Sequence, residues 1–250
     1  MVHTDPELAA RLPGAAERGE IRAWFQPQVD VQTGRIVGAE ALARWRHPDL
    51  GSVPPTEFIP IAEETGEIAE IGRFMAEEAC IAISEWDLDV SVNVSPTQLE
   101  DSSFTDWLER TLRRFRAARG RLTLEITEGR AIEHATAVVR RLDRLRAVGA
   151  GVAIDDFGAG HASITQLKRL HGTELKIDRT LVVDASSAAF DLLTEIVGVA
   201  HRAGIRVVAE GVETIEQLQR IARVGCDRAQ GYFLGRPMRK ADLAEVLAAR

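Results

Sequence analysis

Residues 144–156 read RLRAVGAGVAIDD. Arg144 and Arg146 bring an amphipathic segment to a basic end, and Gly149 stands where a helix C-terminus needs a left-handed residue. The apolar run that follows closes on Asp155 and Asp156. The same pattern recurs three times: Arg116 to Gly120 before RLTLEIT, Arg202 to Gly204 before IRVVAEG, and Arg223 to Gly225 before CDRAQG. Between these marks, Val138, Leu142 and Leu145 line one helical face, and Leu192, Leu193, Ile196, Val197 and Ala200 line another. Thr214 with Gln217 three positions on forms a capping-box pattern that opens the last of these helices. Strand-like runs alternating with 3.6-period segments are the signature of βα units around a mainly parallel sheet. At 250 residues, one α/β barrel uses the whole length.

Each of those strands finishes in a polar group: Glu125, Asp155, Glu210 and Gln230 stand five or six residues after the glycines. Earlier runs add Glu40 inside RIVGAEALARW, Asn93 in VSVNVS, and then Lys176 in TELKID. A single acid at a strand end is most often a solvated terminus or a helix cap. Seven such groups converging on one rim of a parallel barrel need another reason, because clustered buried carboxylates demand a cation or shifted pKa values. With no Cys and no His at these positions, the donor set selects a hard divalent ion, Mg²⁺ or Mn²⁺. Of the consecutive pair Asp155 and Asp156, one can bridge two ions while the other, turned by the chain bend, binds only the second.

Two ions together activate water and stabilise a leaving oxygen, so phosphodiester hydrolysis is the leading chemistry. Lys176 supplies a cation near the developing charge and Glu210 a base. The plain alternative for Lys176 is a salt bridge to Asp178 or Glu174. FGAGHAS after Asp156 reads as a loop shaping the site, since it lacks the third glycine of a dinucleotide fingerprint. His47, His161, His171 and His201 are read as ordinary loop or helix-end histidines.

Composition narrows the function classes. Lys and Arg total 31 against 38 Asp and Glu, a net charge of −7, which argues against a duplex nucleic-acid binder. No stretch approaches the roughly 18 apolar residues of a membrane span, and the N-terminus has neither a basic nor an apolar signal region. The expectation is a cytoplasmic domain with no membrane contact of its own. Cys80 and Cys226 fit no metal spacing and are read as small buried hydrophobes of a reducing compartment. Residues 1–20, interrupted by Pro13 and Gly14, read as a leader or linker helix ahead of a domain over 21–250.

At the residues that form the rim the chain resembles the EAL domain family, bacterial phosphodiesterases that open cyclic di-GMP (c-di-GMP) to linear pGpG. Glu40, Ala41 and Leu42 stand in FQPQVDVQTGRIVGAEALARWRHP. Similar segments follow as PPTEFIPIAEETG, SVNVSP, LEITE, DDFGAG, LKIDR, VVAEGVET and QGYFLGRP, in the family's order and spacing from about residue 21 onward. The resemblance implies a modified, TIM-like (β/α)8 barrel whose first strand is antiparallel to the others.

It also implies that Glu40, Asn93, Glu125 and Asp155 hold one ion, and that Asp155 bridges to a second held by Asp156 with help from Glu210. By the same resemblance Lys176 contacts the nucleophilic water, Glu210 is the general base, and Gln26, Leu42, Arg44, Glu213 and Gln230 line the substrate site. Glu128 matches the anchor of the glycine loop. Where this chain has Ala159, His161 and Ala162, the family commonly has Thr, Tyr and Ser. Two Mg²⁺ or Mn²⁺ ions, inhibition by Ca²⁺, a homodimer, and sensory or cyclase domains upstream in a parent protein complete what the resemblance implies. The alternatives are a c-di-GMP receptor without turnover and an interaction or dimerisation module.

Overall fold

Basic residues followed by glycine end helices here for a local reason. Gly149, Gly204 and Gly225 all take positive φ (102°, 71° and 91°), which a side chain would oppose. The computed structural model of the chain describes residues 5–127, 135–158 and 170–249. Its strands are β1 (Ile21–Asp30), β2 (Ile36–His47), β3 (Gly51–Val53), β4 (Asp89–Asn93), β5 (Leu122–Thr127), β6 (Gly151–Phe157), β7 (Glu174–Ile177), β8 (Arg206–Ala209), β9 (Arg228–Ala229) and β10 (Met238–Arg239). Eight of them close a ring in the order β1, β2, β4, β5, β6, β7, β8, β9 and back to β1. All neighbours from β2 through β9 pair parallel, while β1 pairs antiparallel with both β2 and β9. The barrel and its inverted first strand are as expected. β3 and β10 are additions beside β2 and β1.

The helices among the described residues are α1 (Pro6–Arg11), α2 (Pro55–Thr65), α3 (Ile68–Trp86), α4 (Pro96–Glu100), α5 (Ser102–Arg114), α6 (Ala135–Ala147), α7 (Arg179–Val183), α8 (Ser187–Arg202), α9 (Ile215–Val224) and α10 (Lys240–Ala248). The Thr214 capping box is formed at the start of α9. Two local expectations shift. The segment before Gly120 leaves the α-helix at Arg114 and finishes as a 3₁₀ turn over Arg116–Ala118. Leu192 is 45% exposed, because the buried stripe of α8 runs through Ala189, Leu193, Ile196, Val197 and Ala200, one position around the helix.

Cys80 and Cys226 are free and buried, and burial pushes both thiols up to about 12. The segment ahead of β1 carries α1 and puts Leu8, Leu12 and Ala15 into the core. Trp45 Nε1 donates to Glu20 Oε2 at 3.1 Å and clips the end of this segment to β2. Among the described residues no helix is long and apolar enough to cross a membrane.

Candidate active site

Strand alternation decides which side chains meet. In β7, Glu174 and Lys176 share the inner face, and in β9 and its continuation Arg228 and Gln230 do. At the N-terminal end of the barrel the inward charges pair among themselves, Arg206 with Glu174 at 3.1 Å and Arg228 with Asp89 at 2.5 Å. Lys176 therefore has neither Glu174 nor Asp178 as its partner. Its Nζ, 1% exposed, lies 2.6 Å from Glu125 Oε2, 2.7 Å from Glu210 Oε1, 3.3 Å from Asp155 Oδ1 and 3.5 Å from Glu40 Oε2.

Glu40 is further tied by Asn93 Nδ2 at 2.7 Å and Gln230 Nε2 at 2.6 Å. The seven strand-end residues read from the sequence thus form one connected cluster. Gln26 joins it by accepting from Gln230 Nε2 at 3.1 Å, and Gln28 donates to Gln230 Oε1 at 3.1 Å. Asp156 sits at φ 59°, where the register of β6 against β7 shifts between Ile154 and Phe157. Regular alternation would send Asp156 to the face opposite Asp155; with the bend, oxygens of Asp155, Asp156 and Glu210 lie within 4.8 Å of one another.

Five carboxylates around one ammonium leave a large excess of negative charge. Burial and then the Glu40 carboxylate hold Glu125 well above the usual range, despite Lys176. Burial raises Glu210 to about 8 against the pull of Lys176, with Asp155 and Glu40 adding to the rise. Asp156 is raised by burial and by Asp155. Glu40 goes the other way: burial opposes its ionisation, but Lys176 and the amides of Gln230 and Asn93 bring it below the usual value. Burial also works against the Lys176 ammonium, and Glu125, Glu210, Glu40 and Asp155 together outweigh it, raising its pKa well above the lysine range.

Within the cluster, Glu125 Oε1 is buried with no hydrogen-bond partner among the described residues. An unpaired carboxylate oxygen in a pocket of surplus anions fits a hard cation, and the all-oxygen donors agree.

The cluster opens into a cavity of about 280 Å³ lined by Lys176, Glu210, Gln26, Gln230, Leu42 and Glu213. Beside it lies an apolar cavity of about 630 Å³ between β2, β4, α2 and α3, with Ile59, Pro60, Ile68 and Met75 in its walls. Leu42 lines both, and Arg44 lines the larger. Sequence reasoning missed Gln28, whose signal is its place two residues after Gln26 on the same strand face. It also gave no role to Arg179 of LKIDR or to Tyr232 of QGYFLGRP, both in the wall of the smaller cavity. Glu128, Ala159, His161 and Ala162 lie outside the described residues. His47, His171 and His201 pair elsewhere; His201 Nε2 lies 3.0 Å from Asp227 Oδ2.

A (β/α)8 barrel with an antiparallel first strand and a lysine-centred carboxylate cluster at the C-terminal ends of its strands is the scaffold of a cation-dependent enzyme class. The chain belongs to the EAL domain family, whose profile matches residues 9–237. It is 37% identical over 250 residues to the bifunctional diguanylate cyclase/cyclic di-GMP phosphodiesterase MucR of Pseudomonas aeruginosa, covering 97% of this chain and 36% of that protein. It is also 37% identical to the cyclic di-GMP phosphodiesterase PA2567 of the same organism, over 89% of this chain and 39% of the relative. This chain spans little more than a third of the length of either. Its fold superimposes on the PaMucR phosphodiesterase in complex with c-di-GMP with a TM-score of 0.86 at 38% identity, over 95% of this chain and 99% of that one.

Proposed function

We propose that residues 21–250 act as a phosphodiesterase domain that hydrolyses c-di-GMP to 5′-pGpG. The observation that carries the reading is the Lys176 cluster with its unpaired Glu125 oxygen, placed at the mouth of a barrel of this family. In this reading Glu40, Asn93, Glu125 and Asp155 hold one divalent ion, Asp155, Asp156 and Glu210 a second, and the ions are Mg²⁺ or Mn²⁺. Bound there, such ions would supply Lewis-acid charge for activating water and stabilising the leaving oxygen.

The chain's own groups do the rest. Water attacks one phosphorus of the ring, the P–O3′ bond breaks, and the departing 3′ oxygen takes a proton from solvent to become the hydroxyl. Glu210 accepts the proton of the attacking water. Lys176, fixed by its carboxylates, orients that water and offsets the negative charge that grows at phosphorus. Gln26, Gln230 and Glu213 present polar edges along the smaller cavity. Leu42 and the apolar walls of the larger one provide room for a base, with Arg44 at the border to meet a phosphate oxygen. Glu128 is assigned the anchoring of the glycine loop by resemblance.

The reading extends to a homodimer in the cytoplasm, within a longer chain that carries sensory or cyclase domains. The larger size of the relatives, one of them named for both activities, supports the last part. Residues 1–20 lead to such domains while Leu8, Leu12 and Ala15 pack into the core.

Incubation with c-di-GMP in Mg²⁺ or Mn²⁺, with an EDTA control, tests the proposal by chromatography of the products. Metal-dependent pGpG is expected. Substrate that binds by calorimetry but stays intact overturns the enzyme reading in favour of a receptor.

A further inference from the structure

Arg179 opens α7, the short helix that follows the β7 strand bearing Lys176, and it lines the same cavity as Lys176, Glu210 and Gln230. Two features fix its course. Its Nη2 lies 3.0 Å from Glu213 Oε1. Its aliphatic stem crosses Gly211, where a Cβ would meet Arg179 Cγ at 2.4 Å and Cβ at 2.6 Å. Gly211 also stands at φ +66°, so the backbone next to Glu210 is bare at the one place the arginine stem passes.

α7 itself is held from both sides. Asp178 caps it by accepting from Thr180 N at 2.8 Å, and the buried Arg220 of α9 donates to the carbonyl oxygens of Val182 and Asp184. Leu181 fills the space over Gly158, two residues after Asp156. A surface ion pair alone has no need of this support, since an exposed pair adds little stability. The Arg179 side chain is 59% exposed where it lines this cavity. Lys176, the other cation of that cavity among the described residues, is enclosed by four carboxylates.

We propose that Arg179 is a substrate-binding residue that grips a phosphate of the cyclic dinucleotide, exchanging the Glu213 carboxylate for phosphate oxygens. The inference rests on the phosphodiesterase reading above. A dianionic substrate entering a mouth lined with acids needs a cation that is positioned but not consumed. The planar guanidinium fork matches two phosphate oxygens where an ammonium would meet one. Before substrate arrives, the Glu213 ion pair and the stem's seat on Gly211 restrict the fork, so less side-chain entropy remains to be lost on binding.

The test is steady-state kinetics on c-di-GMP for wild type, Arg179→Ala, Arg179→Gln and Arg179→Lys, each in the wild-type and Glu213→Ala backgrounds. Arg179→Gln keeps the stem over Gly211, so a folding defect confined to the alanine variant leaves a readable result. Loss of a charge-assisted pair raises KM by about 10- to 100-fold. The turnover number should stay within a few-fold, KM should become less sensitive to salt, and Arg179→Lys should recover part of the loss.

The KM effect persists in the Glu213→Ala background if Arg179 meets the phosphate directly. An effect that vanishes there makes Arg179 only a support for Glu213 and overturns the proposal. An unchanged KM in an active enzyme overturns it too, while leaving the phosphodiesterase reading intact. A wild-type protein that neither binds nor cleaves c-di-GMP overturns both.

Discussion

Glu125 carries the sharpest conflict in the molecule. It is fully buried, one oxygen serves Lys176 at 2.6 Å, and the other has no hydrogen-bond partner among the described residues. Burial and the Glu40 carboxylate push its pKa well up, so this residue weakens the fold unless a cation reaches it. Glu125→Gln separates fold from function. An amide keeps an oxygen for Lys176 and cannot ionise in this crowded site, so the melting temperature in EDTA should hold or rise. Turnover should fall by at least roughly 10³-fold, equivalent to about 4 kcal/mol of transition-state stabilisation. A lower melting temperature in EDTA combined with near-normal turnover would sink the role given to this residue. At this scale the sequence was informative, because a polar group ending one apolar strand after another has no packing explanation. What it left open was pairing. Lys176 had Asp178 and Glu174 as nearer partners in sequence, and only the inward alternation of β7 and the Arg206 contact to Glu174 direct it to the cluster.

Among the elements, the segment before β1 carries the weakest sequence signal. Pro13 and Gly14 end α1 early, and although Leu8, Leu12 and Ala15 stand at helical spacing, a six-residue helix broken by Pro and Gly does not tell a docked element from a linker. Leu12 is 1% exposed, so Leu12→Ala should cost about 2–5 kcal/mol, readable as a lower denaturant midpoint. If the midpoint is unchanged, the segment is not part of the cooperative fold. The clip at its end adds a pH dependence. Arg18 holds the Glu20 carboxyl below its usual range; burial opposes this and the Trp45 indole assists. A depressed folded pKa contributes stability that is present above the unfolded value of about 4.3 and is lost as pH falls through the lower folded value. Wild type should therefore lose stability more steeply than Glu20→Gln below about pH 4.3, and parallel acid limbs would contradict the clip. The direction of β1 shows the opposite limit. Its alternation of Gln26 and Gln28 reads the same in either direction, so its inversion could be anticipated only from resemblance to a family.

For the whole molecule, the four repeats of basic end, glycine, apolar strand and polar terminus were enough to anticipate a barrel. In a closed parallel barrel the strand ends must converge, and the site followed from the fold. Substrate identity did not follow in the same way, because the cavity walls come from residues such as Ile59 and Met75 that any core would use. The convergence has a thermodynamic consequence that can be measured before any substrate is added. Cations that bind the folded cluster and not the unfolded chain stabilise it by mass action, by about 2.7 kcal/mol at a hundred times the dissociation constant. For a chain of this size that raises the melting temperature by roughly 5–10 °C. Mg²⁺, Mn²⁺ and Ca²⁺ should all do so, since all accept the same carboxylate and amide oxygens. Turnover should separate them, because Mg²⁺ demands near-octahedral ligands at about 2.0–2.1 Å, whereas Ca²⁺ takes six to eight at about 2.3–2.6 Å in looser geometry and holds the attacking water poorly. Melting curves and product formation in each ion form one experiment. Stabilisation by all three with product only in Mg²⁺ or Mn²⁺ is expected, and Ca²⁺-supported cleavage at the Mg²⁺ rate would contradict the assignment of a geometrically exacting two-ion site.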